Sequence, residues 1–167
     1  MDDYNFWTNE LKYLLNVLST FKEIKNFTFV GGSALAYYLR HRVSHDIDLF
    51  SNREILPQKS IENFIDKLKK KHSIVTINKT SEQIDFIIDN VNVTFCASGI
   101  NAVKDLRKQL MQNLYIGKLD LLIAMKGYAI GRRAEIKDYF DIFALLKKDV
   151  CNINYIREKT EEVFGEK

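Results

Sequence analysis

Residues 31–50 read GGSALAYYLRHRVSHDIDLF, and this stretch decides the fold. Gly31-Gly32-Ser33 turns the chain out of a short apolar strand, a brief helix over 33–39 follows, and a second strand over 45–50 carries Asp46-x-Asp48. Strand residues two apart point to one face, so both carboxylates project to the same side of a sheet. Ile47 and Leu49 point the other way, into a core. Neighbouring carboxylates repel each other, and the ionised pair is tolerated with a cation between them. Oxygen-only ligands suit Mg²⁺, which keeps several waters and borrows phosphate oxygens from its substrate. Gly31 and Gly32 leave backbone N–H groups open to a phosphate at the helix N-terminus. The stretch therefore reads as a site for a metal ion and a nucleotide phosphate.

Outward from this block, Trp7, Leu11, Leu14, Leu15 and Leu18 recur at helical spacing and predict an amphipathic N-terminal helix on the sheet. Residues 27–30 form the buried strand that feeds the glycines. Pro57 opens a helix that turns Ile61, Phe64, Ile65 and Leu68 inward. Its Lys67, Lys69, Lys70 and Lys71 form either a solvated face or a contact with nucleic acid. Strands over 73–78, 83–88 and 91–96 follow, with Asp89-Asn90 as a hairpin turn. From about Asn101 the expectation is helix to the end. The fold class expected is α/β in the broad sense (α+β), a mixed sheet flanked by helices. One domain over 1–167 has a sheet-bearing half at 1–100 and a helical half at 101–167.

Composition agrees with that class. The 167 residues are 46% hydrophobic with a single Pro, enough for a real core in one domain. No apolar run approaches the roughly 20 residues that cross a bilayer, and no secretory signal pattern opens the chain. Cys96 and Cys151 lack C-x-x-C spacing and a neighbouring His cluster, which fits reduced thiols in a cytoplasmic protein. A formal charge of +3 permits a nucleic-acid partner without arguing for one.

A second group of informative residues lies in IGKLDLLIAMKGYAIGRRAEIKDYFDIFALL, residues 116–146. Leu119, Leu122, Ile123 and Ile130 form a helical stripe with Lys126 in its middle, where an unpaired ammonium is costly. Two accounts fit. The stem packs while the head reaches water, or Lys126 meets a triphosphate at the edge of the site, with Arg133 on the same face. On the next helix Asp138 projects toward Ile142 and Leu145, which favours an inward role. Asp141, four residues from Lys137, reads most simply as half of an exposed ion pair.

The joint occurrence of GGS, the HR-x-S lead-in and Asp-x-Asp resembles the nucleotidyltransferase superfamily of the DNA polymerase beta type. Within it, GGSAL…HRVSHDIDLF is similar to the abortive-infection nucleotidyltransferase toxins of the AbiEii type. The resemblance covers two blocks, roughly 27–50 and 118–146. It implies a nucleotidyltransferase fold and transfer of a nucleoside monophosphate from an NTP, with Mg²⁺ held by Asp46 and Asp48. It further implies catalytic roles for Lys126 and Asp138. Beside these, the positions of Gly31, Gly32, Ser33, Arg42, Ser44 and Arg133 make them candidate nucleotide contacts. The family shows an Asp a few residues before the Lys and then a basic-Asp-x-x-Asp helix, and Asp120, Lys137 and Asp141 match those further positions. A bacterial toxin–antitoxin or phage-defence setting is implied, with a cognate antitoxin as partner and RNA, notably the tRNA 3′ end, as acceptor. Transfer of AMP to a protein hydroxyl would use the same site.

One position departs from the superfamily. A third carboxylate is expected on the strand beside Asp-x-Asp, and in VNVTF that position holds Thr94, whose hydroxyl ligates Mg²⁺ weakly. Asp85 or Asp89 could substitute if the register differs; otherwise the chain is a weakened module that binds a nucleotide or a partner protein. Ser33 either bonds a phosphate or caps the helix. Arg42 either binds phosphate or pairs with a surface carboxylate. His41, His45 and His72 show no ligand spacing.

Overall fold

Thr28–Val30 is a fully buried strand, β1, and the rest of the sheet is arranged around it. The computed structural model describes residues 6–133 and 135–165. β1 follows helix α1 (Asn9–Ser19) and a 3₁₀ turn (Lys22–Asn26), and runs directly into α2 (Gly31–Leu39). Then come β2 (Ile47–Ser51), α3 (Gln58–Leu68), β3 (Ile74–Lys79), β4 (Gln83–Ile88), β5 (Val91–Ala97) and the short α4 (Ala102–Asp105). The chain finishes with β6 (Arg107–Met111), β7 (Leu114–Gly117), α5 (Leu119–Arg132), α6 (Ile136–Lys147) and α7 (Ile153–Phe164). The sheet order is β3-β4-β5-β2-β1-β7-β6. β2 lies antiparallel to β1 and parallel to β5, and β7 lies parallel to β1. This is the mixed α/β architecture expected.

Alternation along β2 follows its sequence. Ile47, Leu49 and Ser51 are buried on one face, and Asp48 and Phe50 are half-buried on the other. Register sets the neighbours that matter: Val30 stands opposite Asp48 on one side, and Thr94 opposite Asp48 on the other. Asp89 and Asn90 take positive φ (46° and 66°), the conformation a two-residue hairpin turn requires, and they join β4 to β5 as expected.

Trp7 stands just ahead of α1, whose N-cap is Thr8. Its indole N–H donates to the Ser33 carbonyl at 2.8 Å, so the N-terminal segment pins α2. The core runs through Phe27, Phe64 and Phe95, with ring centroids 5.0 and 5.6 Å apart about Phe95. α2 packs on β1 and β2 and against α5 and α6, and α5 packs along α7.

One expectation is corrected. Residues after Asn101 are not continuously helical: β6 and β7 form a hairpin, and its inner strand extends the sheet beside β1. Leu114 and Ile116 are fully buried by that pairing. A strand this short holds too few residues to separate a period of two from one of 3.6, which is why the sequence pattern missed it. The uninterrupted helical part begins at Leu119. Among the described residues no helix is long and apolar enough to cross a membrane.

Candidate active site

The Asp-x-Asp strand, the glycine turn and the start of α6 meet in a cleft of about 290 Å³. Asp46 and Asp48 lie on its sheet side, with Asn92 and Thr94 of β5 next to them. Asn92 donates to Asp46 Oδ1 at 2.9 Å. Asp48 sits against the glycine turn. Gly31 has φ +77°, and a Cβ built there would lie 2.0 Å from Asp48 Oδ2. Burial first, and the neighbouring Asp46 charge second, push the Asp48 carboxyl up to about 6. A pair of close carboxylates under this strain fits a divalent cation. Among the described residues no group of three or more His, Cys, Asp or Glu could hold a metal alone. The donor set therefore suits an ion that keeps waters and shares its ligands with a phosphate-bearing substrate.

Facing the carboxylates is the N-terminus of α2, whose first N–H groups have no partner within the helix. Gly31, Gly32 and Ser33 all line the cleft there. A Cβ on Gly32 would come within 2.2 Å of the Arg42 guanidinium. Ser33 does not cap the helix, because it lies inside α2, whose N-cap is Val30. Its buried hydroxyl donates to the Asp46 carbonyl at 2.5 Å and lies 2.8 Å from Ser44 Oγ. It is a strut that ties α2 to the start of β2 and so fixes the carboxylates relative to the glycine N–H groups. Ser44 is buried as well and accepts from Arg42 at 3.2 Å.

The opposite wall is cationic and tightly cross-linked. Lys126, on α5, is almost fully buried, and its Nζ lies 2.7 Å from Asp138 Oδ1 and 2.7 Å from Asp141 Oδ2. Its head does not reach bulk water; it sits at the cleft floor between two carboxylates. An ammonium has three donors, so one remains for the cleft. Arg133 donates to both Asp138 oxygens (3.0 and 3.3 Å) and keeps half its side chain exposed.

Asp141 is corrected outright. It is fully buried and does not pair with Lys137, which reaches Glu135 at 3.2 Å instead. Its partners are Arg42 (Nε at 2.7 Å, Nη2 at 3.1 Å), His41 Nε2 at 2.6 Å and Lys126. Burial opposes ionisation of Asp141, but the bonds from His41 and Arg42 and the Lys126 charge outweigh it and hold the carboxyl far below the usual range. Burial likewise opposes ionisation of Asp138, and Arg133 and Lys126 overcome it. Arg42 thus pairs with a carboxylate, as one reading expected, but a buried one. Four cations (Arg42, Lys126, Arg133 and Lys137) against three carboxylates (Asp138, Asp141 and Glu135) leave positive charge in excess on this wall.

Asp46, Asp48, Gly31, Gly32, Ser33, Arg42, Ser44, Lys126, Arg133 and Thr94 all line the cleft. Asp138 and Asp141 support it from behind through Lys126, Arg133 and Arg42. Asp120 is placed elsewhere: its carboxylate accepts from the Tyr155 hydroxyl at 2.9 Å, between α5 and α7. Asp89 is bonded to His72 at 2.6 Å at the far turn of β4. Lys137, a position of the family pattern that was given no role, and Asn92, which was not singled out, also line the cleft. Asn92 carried a signal, being two residues before Thr94 on an alternating strand.

A sequence model described as nucleotidyl transferase AbiEii toxin, Type IV TA system, matches residues 12–95, half of the chain. The uncharacterized protein aq_aa25 of Aquifex aeolicus (strain VF5) is 26% identical over 144 residues, covering 83% of this chain and 66% of its own length. Among solved structures, the Megavirus polyadenylate synthase superposes with a TM-score of 0.59 at 13% identity, over 83% of this chain and 31% of its own. JHP933 from Helicobacter pylori gives a TM-score of 0.56 at 14% identity, over 93% of this chain and 75% of its own. The structural likenesses show the fold. The chain spans less than two thirds of the Aquifex protein and about a third of the viral one.

Proposed function

The chain belongs to the nucleotidyl transferase AbiEii toxin family, and from that premise we propose that it moves a nucleoside monophosphate from an NTP to an acceptor hydroxyl, releasing pyrophosphate. The observation that carries this reading is one cleft holding a strained carboxylate pair, an open helix N-terminus and a cationic wall. Asp46 and Asp48 would hold Mg²⁺, which supplies charge neutralisation for the phosphates when bound. The N–H groups at Gly31 and Gly32 would receive phosphate oxygens. The free Lys126 donor and the exposed part of Arg133 stabilise charge that develops on the leaving pyrophosphate, with Lys137 beside them. Asp138 positions both Lys126 and Arg133. Ser33 and Ser44 brace the cradle, and Arg42 does so through Asp141.

RNA, notably the tRNA 3′ end, is the proposed acceptor. The toxin family supports it, and the mildly basic chain permits it. The same description, a Type IV toxin–antitoxin system, supports a cognate antitoxin as a functional partner. The test incubates purified protein with Mg²⁺, each labelled NTP in turn and bulk tRNA, beside the Asp46→Asn/Asp48→Asn variant. Label on RNA from the wild type alone is the expected result. Label on protein would redirect the acceptor to a protein hydroxyl. Nucleotide binding without transfer would favour the second reading, a weakened binding module, for which Thr94 beside Asp48 is the specific observation.

A further inference from the structure

Asp48, Thr94 and Asp85 form one row across β2, β5 and β4, since Thr94 is the register partner of both Asp residues. Directly opposed residues share a sheet face, so all three side chains project toward the side of the cleft. Strands lie about 4.8 Å apart, which puts Asp85 roughly 10 Å from Asp48 with Thr94 between them. Thr94 donates its hydroxyl proton to Asp85 Oδ1 at 2.9 Å. That bond fixes the Thr94 rotor. With its one proton committed to Asp85, the oxygen presents its lone pairs away from Asp85, and Thr94 lines the cleft while Asp85 does not.

Asp85 is itself held in place. Gln83 Nε2 reaches both of its oxygens (3.0 and 2.9 Å), and Asn78 Nδ2 reaches Oδ2 at 3.2 Å. These partners are neutral, and among the described residues no salt bridge neutralises the carboxylate. A carboxylate oriented by amides, with a hydroxyl donor on the cleft wall, is the arrangement of a proton acceptor working through a relay.

We propose that Thr94 and Asp85 together do the work of a third carboxylate, Thr94 accepting the proton of the attacking hydroxyl as it passes its own proton to Asp85. The inference rests on the transfer reading above. In the step, the acceptor oxygen forms a bond to the α-phosphorus while the bond from that phosphorus to the pyrophosphate oxygen breaks. The electron pair leaves with pyrophosphate. The acceptor's proton moves to Thr94 Oγ1 as the Thr94 proton moves to Asp85 Oδ1, so Thr94 ends as it began. Thr94 touches the substrate and is the catalytic member; Asp85 acts through it.

The experiment compares kcat, KM for NTP and nucleotide affinity in the wild type, Asp85→Asn, Thr94→Val, the double variant, Thr94→Ser and Thr94→Asp. Asparagine still accepts the Thr94 hydrogen bond but takes no proton. Asp85→Asn and Thr94→Val should each lower kcat by about 10²-fold, the scale of a lost general base, with KM and affinity unchanged. The double variant should be no slower than either single one, because each breaks the same relay. Thr94→Ser, which keeps the hydroxyl, should recover most of the rate lost in Thr94→Val, and Thr94→Asp should make Asp85 dispensable. A wild-type kcat in Asp85→Asn, or losses that multiply in the double variant, would overturn the relay and leave nucleotidyl transfer standing. Absence of transfer in the wild type would overturn both.

Discussion

Replacing Asp48 by Asn should stabilise the metal-free protein while ending transfer. The Asp48 carboxyl is raised from 3.8 to about 6, by burial first and by Asp46 second. The folded state therefore holds that proton more tightly than the unfolded chain. Stability from this group is greatest below the unfolded value, falls as pH climbs from about 4 to about 6, and is flat above. At about 1.4 kcal/mol per unit, the full shift corresponds to roughly 3 kcal/mol against the fold at neutral pH. Water reaches the half-buried group, so the expected gain on substitution is roughly 1–3 kcal/mol after screening. For a chain of this size that raises the melting temperature by roughly 2–10 °C. The assay is thermal unfolding of wild type and Asp48→Asn from about pH 4 to pH 8, in chelator and in Mg²⁺. The two proteins should coincide near the acid end and diverge above it in chelator. Mg²⁺ should raise the wild type selectively, because only it has both carboxylates to bind the ion. A variant less stable than wild type at neutral pH in chelator would refute the reasoning and make Asp48 a structural anchor.

Three further outcomes follow from the same geometry. Gly31→Ala forces a Cβ into Asp48 at a positive-φ position, so transfer should fall to the level of Asp48→Asn while the sheet persists by circular dichroism. Asp141→Asn leaves Lys126, Arg42 and His41 short of a buried counter-charge; it should cost about 3–5 kcal/mol in urea unfolding. The low-lying Asp141 carboxyl also means its contribution persists through mildly acid pH and is lost only as pH falls below the ordinary carboxylate range. Tyr155→Phe removes only the bond to Asp120, so transfer kinetics should not change; a large loss of kcat would bring Asp120 back into the site.

Much of the site was legible in the sequence because its logic is local. A period of two places Asp46 and Asp48 together whatever surrounds them, and a Gly-Gly-Ser turn between strand and helix is set by neighbours along the chain. A Lys in the middle of an apolar stripe likewise announces a partner, though not which one. The family match ends at residue 95, so nothing in it places Lys126, Arg133, Asp138 or Asp141 beside the carboxylates; α2 packing against α5 and α6 does that. Asp141 shows the limit most clearly. Its helical neighbour Lys137 offered a plausible surface pair, while its true partners, His41 and Arg42, lie about a hundred residues away. The β6–β7 hairpin failed for a related reason, since β7 is defined by pairing with β1, and β6 by pairing with β7, rather than by their own periodicity. Local sequence determined the strand that bears the carboxylates, the glycine turn and the fold class. Tertiary structure alone decided which buried charges neutralise one another and that Thr94 stands between Asp48 and Asp85, because ion pairing and strand register depend on distance in space rather than separation along the chain.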